Sequence, residues 1–132
     1  MSADTTAPAD VAALTSRRRT VAPGEVIFLE GQEGDCAYVI LRGEVQVTVT
    51  EGGGRTRVIN RMRAGDMFGE IALVQEDCKR TATAVAADGC ELVVIDKAVF
   101  ATRLSDADPL LRFVIERLCR LVLMWTDRAR QA

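Results

Sequence analysis

The chain has 132 residues, with 17 Lys and Arg against 19 Asp and Glu and a net charge of −2. That length suits a single domain, and the balanced charge supplies no global basic field for holding a nucleic acid. A composition of 48% apolar and 27% charged residues excludes general disorder. Histidine is absent, which removes Ser-His-Asp and Cys-His nucleophile systems, HExxH zinc sites and His-ligated metal centres together. Neither an enzyme nor a metal site is expected.

Cys36, Cys78, Cys90 and Cys119 stand 42, 12 and 29 positions apart. This gives no CxxC pair and no zinc-ribbon spacing, so buried free thiols are expected. The first 13 residues carry neither a basic start nor an apolar run of signal-peptide length, and no stretch of 18 apolar residues occurs anywhere. A soluble protein of a reducing compartment follows, most simply the cytoplasm.

Residues 1–16 read as a loose lead in which 8–14 can form a short helix, with Pro8 in its first turn. The domain proper is expected over 17–132. From about 21 to 96 short extended runs are punctuated by glycines, the pattern of a mainly β fold: an antiparallel β-roll or jelly-roll-like barrel of about eight strands. In 44–50 valines alternate strictly with polar residues, placing one face in the core and the other in water. The apolar run 36–41 is expected to pair with it as a hairpin through Arg42-Gly43, and 81–86 with 91–95 through Asp88-Gly89. Between them, Gly52-Gly53-Gly54 makes a flexible tip before a strand over 55–62. Helices follow from about 97 to 130. Asp96 is placed to cap one over 97–104, and Asp108-Pro109 starts a long second one. Leu111, Val114, Ile115, Leu118, Leu121, Val122 and Trp125 form its apolar stripe, which Leu110, Phe113 and Met124 widen beyond one face. Part of that helix is expected to meet something other than its own barrel.

The chemistry concentrates in Gly65-Asp66-Met67-Phe68-Gly69-Glu70-Ile71-Ala72-Leu73, followed by Arg80-Thr81-Ala82-Thr83-Ala84. A Gly-Glu step opening a short apolar turn leaves the N–H groups of Ile71 and Ala72 free to cradle an anion. Arg80 supplies a planar fork that matches a phosphate, and Glu70 accepts from sugar hydroxyls while repelling phosphate. A sugar phosphodiester with one negative charge and one free ribose hydroxyl meets both demands.

Phe68-Gly69-Glu70-Ile71-Ala72-Leu73 with Arg80-Thr81-Ala82 resembles the phosphate-binding cassette of cyclic nucleotide-binding domains. Pro23-Gly24-Glu25-Val26-Ile27-Phe28, Gly31, Gly34-Asp35, Tyr38-Val39-Ile40 and Arg42-Gly43-Glu44-Val45 resemble the family's early strands and turns, so the likeness covers about residues 20 to 125. It implies a β-roll flanked by helices and cyclic AMP or cyclic GMP as ligand. It also implies that Glu70 takes the ribose 2′-hydroxyl and Arg80 the cyclic phosphate, assisted by N–H groups of Gly69, Ile71, Ala72 and Thr81 or Ala82. Lys79 departs from the family's pattern, since many members have proline there, and the Glu70-to-Arg80 spacing is at its long end.

Structural explanations compete with several of these roles. Glu70 and Arg80 can be a plain ion pair on a solvated loop. Thr81 suits a contact with a syn guanine and equally a strand start, which leaves both nucleotides open. Val58, Asn60 and Met62 share a face if their strand is regular and then border the base or merely pack. Trp125, with Leu118 and Val122, either closes over the base or serves as core or interface. Arg17-Arg18-Arg19 reads as a solvated run. The reading is a sensor module whose long helix moves onto the base, relayed by Leu73, and whose partner is a second copy or an effector protein at that helix. The alternative is a nucleotide-free dimerisation module of the same fold.

Overall fold

The computed structural model describes residues 17–131; the loose lead and its short helix lie outside them. Eight strands form two four-stranded antiparallel sheets. They are β1 (Arg18–Val21), β2 (Val26–Phe28), β3 (Cys36–Arg42), β4 (Glu44–Thr50), β5 (Thr56–Arg63), β6 (Met67–Phe68), β7 (Thr83–Ala86) and β8 (Cys90–Asp96). One sheet runs β1-β8-β3-β6 and the other β2-β7-β4-β5. A 3-10 turn over Glu70–Leu73 interrupts the strands, and helices α1 (Lys97–Ser105) and α2 (Pro109–Gln131) close the chain.

The core lies between the sheets, where Val21, Ile27, Tyr38, Ile40, Val45, Phe68, Ala84, Leu92 and Val94 are buried together. β3 reads as a continuous apolar run because both its faces are covered: Val39 packs with Val93, Leu41 and Ile95 in a second cluster, out of phase with Tyr38 and Ile40. In β4 the alternation places Val45 fully in the core, but Thr48, expected in water, is 8% exposed between its cross-strand partners Val58 and Thr83.

Two expected hairpins are not hairpins. β3 pairs with β8 and β6, β4 with β5 and β7, and β7 and β8 lie in opposite sheets. Arg42-Gly43 and Asp88-Gly89 are therefore corners where the chain crosses between sheets. The corners pack on each other: a Cβ on Gly43, whose φ is 95°, would stand 2.5 Å from the Gly89 carbonyl. Turn-forming residues show that a chain reverses, and long-range pairing decides which strand it then meets. The true hairpin is β4–β5, closed by Glu51 N–H to the Arg55 carbonyl at 2.8 Å around the glycine triplet.

The strand register also divides the residues expected to border a base. Val47 pairs with Asn60 and Thr48 with Val58, leaving Ile59 as a bulge. Val47 and Thr48 are consecutive and point to opposite faces, so Val58 and Asn60 do too. The arginine triplet is largely solvated, as expected, and also makes contacts across the surface. Arg17 pairs with Asp96, Arg18 reaches Glu91 at 3.2 Å, and Arg19 donates to the Ile27 carbonyl at 3.0 Å, fastening β1 to its neighbours. All four cysteines are free thiols; Cys36, Cys78 and Cys90 are buried and Cys119 is half-buried.

Candidate functional site

The excursion between β6 and β7 leaves the roll at Gly69 and returns at Arg80, and the two are in contact. Gly69 has φ 73°, a left-handed backbone that suits glycine, and a Cβ there would lie 2.7 Å from Arg80 Nη1. On the other side a Cβ on Gly34 would lie 2.5 Å from Arg80 Nε. The two glycines make the slot that the guanidinium occupies. Backbone bonds fix its base: Arg80 N–H donates to the Gln32 carbonyl at 2.7 Å and Gly31 N–H to the Arg80 carbonyl at 2.8 Å.

Within the slot, Arg80 Nη1 donates to the Gly69 carbonyl at 3.1 Å and Nη2 to the Cys36 carbonyl at 2.7 Å. The guanidinium carbon sits 4.2 Å from the centroid of the Phe28 ring, which belongs to an aromatic group with Tyr38 and Phe68. Arg80 is only 7% exposed, and its Nε is buried without a hydrogen-bond partner among the described residues. Two carbonyls and a ring face leave the unit charge uncompensated, and a buried cation in that state is costly unless an anion joins it. Next to it, burial pushes the Tyr38 phenol above its ordinary value; a hydrogen bond with the Cys36 side chain adds to this and Arg19 opposes it.

Arg80, Gly69 and Phe28 border a cleft of about 140 Å³. Gly69, Glu70, Ile71, Ala72, Arg80, Thr81 and Ala82, the residues the resemblance assigns to the phosphate and ribose, line it, whereas Val58, Asn60 and Met62, expected to border the base or pack, do not. Phe28, Val47, Phe68, Cys78 and Lys79 complete the lining. Glu70, Lys79 and Thr81 are exposed at the rim, while Ala72 and Ala82 form the floor. Among the described residues Glu70 and Arg80 form no ion pair with each other or with any other side chain, so the structural-pair reading of the two fails. One expectation is revised: Ala72 N–H is not free but turns back to the Gly69 carbonyl at 3.3 Å. The tightness of a 3-10 turn consumes that donor and leaves the N–H groups before it outside the ladder.

The turn has a second side. Leu73 and Val74 line a cavity of about 310 Å³ with Phe100 and Leu104 of α1 and Cys119 and Leu123 of α2. Beyond it Leu110, Leu111, Phe113, Leu118, Leu121 and Met124 of α2 are exposed. Trp125, 66% exposed, is neither in the core nor in the cleft lining. No helix among the described residues is long and apolar enough to cross a membrane, and no three metal-ligating side chains cluster among them.

Fold and site together define a β-roll with an arginine-centred cleft, the architecture of a ligand-binding domain. The chain belongs to the cyclic nucleotide-binding domain family, whose sequence pattern matches residues 18–106. It is 34% identical over 86 residues to the cyclic AMP receptor protein of Thermus thermophilus, covering 65% of this chain and 39% of that protein. It is 38% identical over 89 residues to the cGMP-dependent protein kinase egl-4 of Caenorhabditis briggsae, covering 66% and 12%. The chain thus spans well under half the length of either relative. Among solved structures, it matches the cAMP-bound and cGMP-bound forms of the EAL enzyme Bd1971 with TM-scores of 0.65 and 0.66. Identities there are 26% and 27%, over 87% of this chain in both and 31% and 30% of those chains.

Proposed function

We propose that this domain is a cytoplasmic sensor that binds one cyclic AMP or cyclic GMP in the Arg80 cleft, leaves it chemically unchanged, and signals through α2. The observation that carries the reading is the state of Arg80: a buried guanidinium held open by two glycines, with an orphaned Nε and no carboxylate partner among the described residues. A cyclic phosphate supplies the missing charge, and its tetrahedral oxygens suit a planar fork. Glu70, exposed on the rim, accepts the ribose 2′-hydroxyl, and backbone N–H groups of Gly69, Ile71, Thr81 and Ala82 supply further donors. Isothermal titration with cyclic AMP and cyclic GMP tests the reading and settles the base preference, which relatives of both kinds leave open.

Signalling rests on the 3-10 turn, whose Ile71 and Ala72 line the cleft while Leu73 and Val74 line the cavity against α2. An anion that draws the turn inward therefore alters the wall of the cavity that α2 faces. Hydrogen exchange of residues 110–125 with and without nucleotide tests this, and unchanged protection would mean a static receptor. A second reading, a nucleotide-free dimerisation module, is favoured by the exposed apolar residues of α2. Sedimentation separates the two, since only a sensor changes its assembly or shape when nucleotide is added.

A further inference from the structure

The nucleotide reading leaves the cleft with an electrostatic imbalance. Arg80 and Glu70 both line it, and their opposite charges cancel for a ligand still in bulk water. Arg80 is moreover buried, so the charge that holds the phosphate is set back from the solvent through which an anion arrives. Lys79 alters that balance. It lines the same cleft and is exposed. Its backbone is held by a bridge to Glu33. Among the described residues its ammonium makes no ion pair, not even with Glu33 across that bridge. With Lys79 the lining carries one net positive charge, and that charge faces water.

We infer that Lys79 is the steering cation of the site, a residue that speeds capture of a monoanionic cyclic nucleotide without holding it once bound. The inference rests on the nucleotide-binding reading above. Division of labour follows from exposure. The fixed fork of Arg80, in low dielectric, makes the persistent contact, while an exposed ammonium on a flexible stem contributes little to a bound pair and is readily screened. A net-positive, partly enclosed cleft raises the encounter rate of an anion. One unit charge about 7 Å from an anion in water changes that rate by roughly threefold.

Stopped-flow association of cyclic AMP carrying a neutral dye on the base, followed against ionic strength, tests this with Lys79→Gln and Lys79→Glu. At about 20 mM salt the Gln variant should associate roughly threefold more slowly and the Glu variant roughly tenfold. Both should converge on the parent near 500 mM, where the Debye length is about 4 Å, with dissociation rates unchanged throughout. Unaltered association at low salt, or a faster dissociation that persists at high salt, overturns the steering role while leaving the nucleotide site intact. A parent that fails to bind either nucleotide in the titration above overturns both.

Discussion

Replacing Arg80 by methionine separates the two things that the buried guanidinium does. Methionine keeps an unbranched apolar stem but removes the charge over the Phe28 ring and the donors to the Gly69 and Cys36 carbonyls. In the empty protein the losses oppose each other. Two charge-assisted bonds of about 1.5–3 kcal/mol each disappear, and so does a buried unpaired cation whose desolvation costs several kcal/mol. The unliganded variant should therefore melt close to the parent, within about 2 kcal/mol. Binding has no such compensation. Losing one partner of a buried charge pair costs about 2–5 kcal/mol, at least roughly thirtyfold in Kd. At a nucleotide concentration of about 100 times the parent's Kd, the parent gains about 2.7 kcal/mol of stability. A variant thirtyfold weaker gains about 0.9 kcal/mol under the same conditions. Differential scanning fluorimetry with and without cyclic AMP should show a thermal shift reduced to about a third or less. A variant that keeps the parent's full shift would refute the assignment of Arg80 to the phosphate.

Gly69→Ala should fail on both counts, because a Cβ costs about 1–2 kcal/mol in the left-handed region and would sit 2.7 Å from Arg80 Nη1. Its melting temperature should fall, and calorimetric affinity should fall with it as the guanidinium is displaced. Glu70→Gln replaces a charged acceptor by a neutral one and should weaken cyclic AMP binding by roughly fivefold. The 2′-deoxy analogue should cost the parent a similar factor and the variant almost nothing, whereas equal losses in both proteins would remove Glu70 from the ribose. Alkali should destabilise the fold. Burial raises the Tyr38 phenol above 10.0 and the Cys90 thiol above 9.0. The folded state therefore retains protons that the unfolded chain releases, and stability falls as pH rises through those values. Melting temperatures should decline from about pH 9 upward, and Cys90→Ala should flatten the lower part of that decline.

The cassette was legible in the sequence because its chemistry is local. Gly69, Glu70, Ile71 and Ala72 are adjacent, and one excursion of the chain returns Arg80 beside them. The strands of the roll were legible for a similar reason, since alternation in β4 and the unbroken apolar run of β3 report burial directly. What crosses between sheets was not. Phe28 lies in one sheet and Tyr38 and Phe68 in the other, so no spacing along the chain announces that their rings meet under a guanidinium. Gly34 reads as a turn glycine, and only the folded chain shows that Arg80 Nε occupies the space a side chain would need. The two corners were misread as hairpins for the converse reason: Arg42-Gly43 and Asp88-Gly89 carry good turn chemistry, and the partner strand is chosen by core residues far away in sequence. The bulge at Ile59, which puts Val58 out of phase with Asn60 and Met62, leaves no mark in an otherwise regular pattern.

On the proposed function, the position of the Arg80 cleft shows how so short a turn would serve as a switch. The four residues Glu70–Leu73 are divided between two cavities: Glu70, Ile71 and Ala72 line the Arg80 cleft, and Leu73 lines the cavity faced by α1 and α2. Ala72 and Leu73 are adjacent and both buried, yet they face different spaces. A ligand moves such an equilibrium only by its differential affinity for the two arrangements. Arg80 supplies the means for a difference, since its present acceptor is the Gly69 carbonyl, the residue from which the turn begins. On the proposed function, a phosphate that engages Nη1 would compete with that bond and free the start of the turn. On the same reading, exchange of that one bond would report occupancy, tying recognition and response to a single side chain.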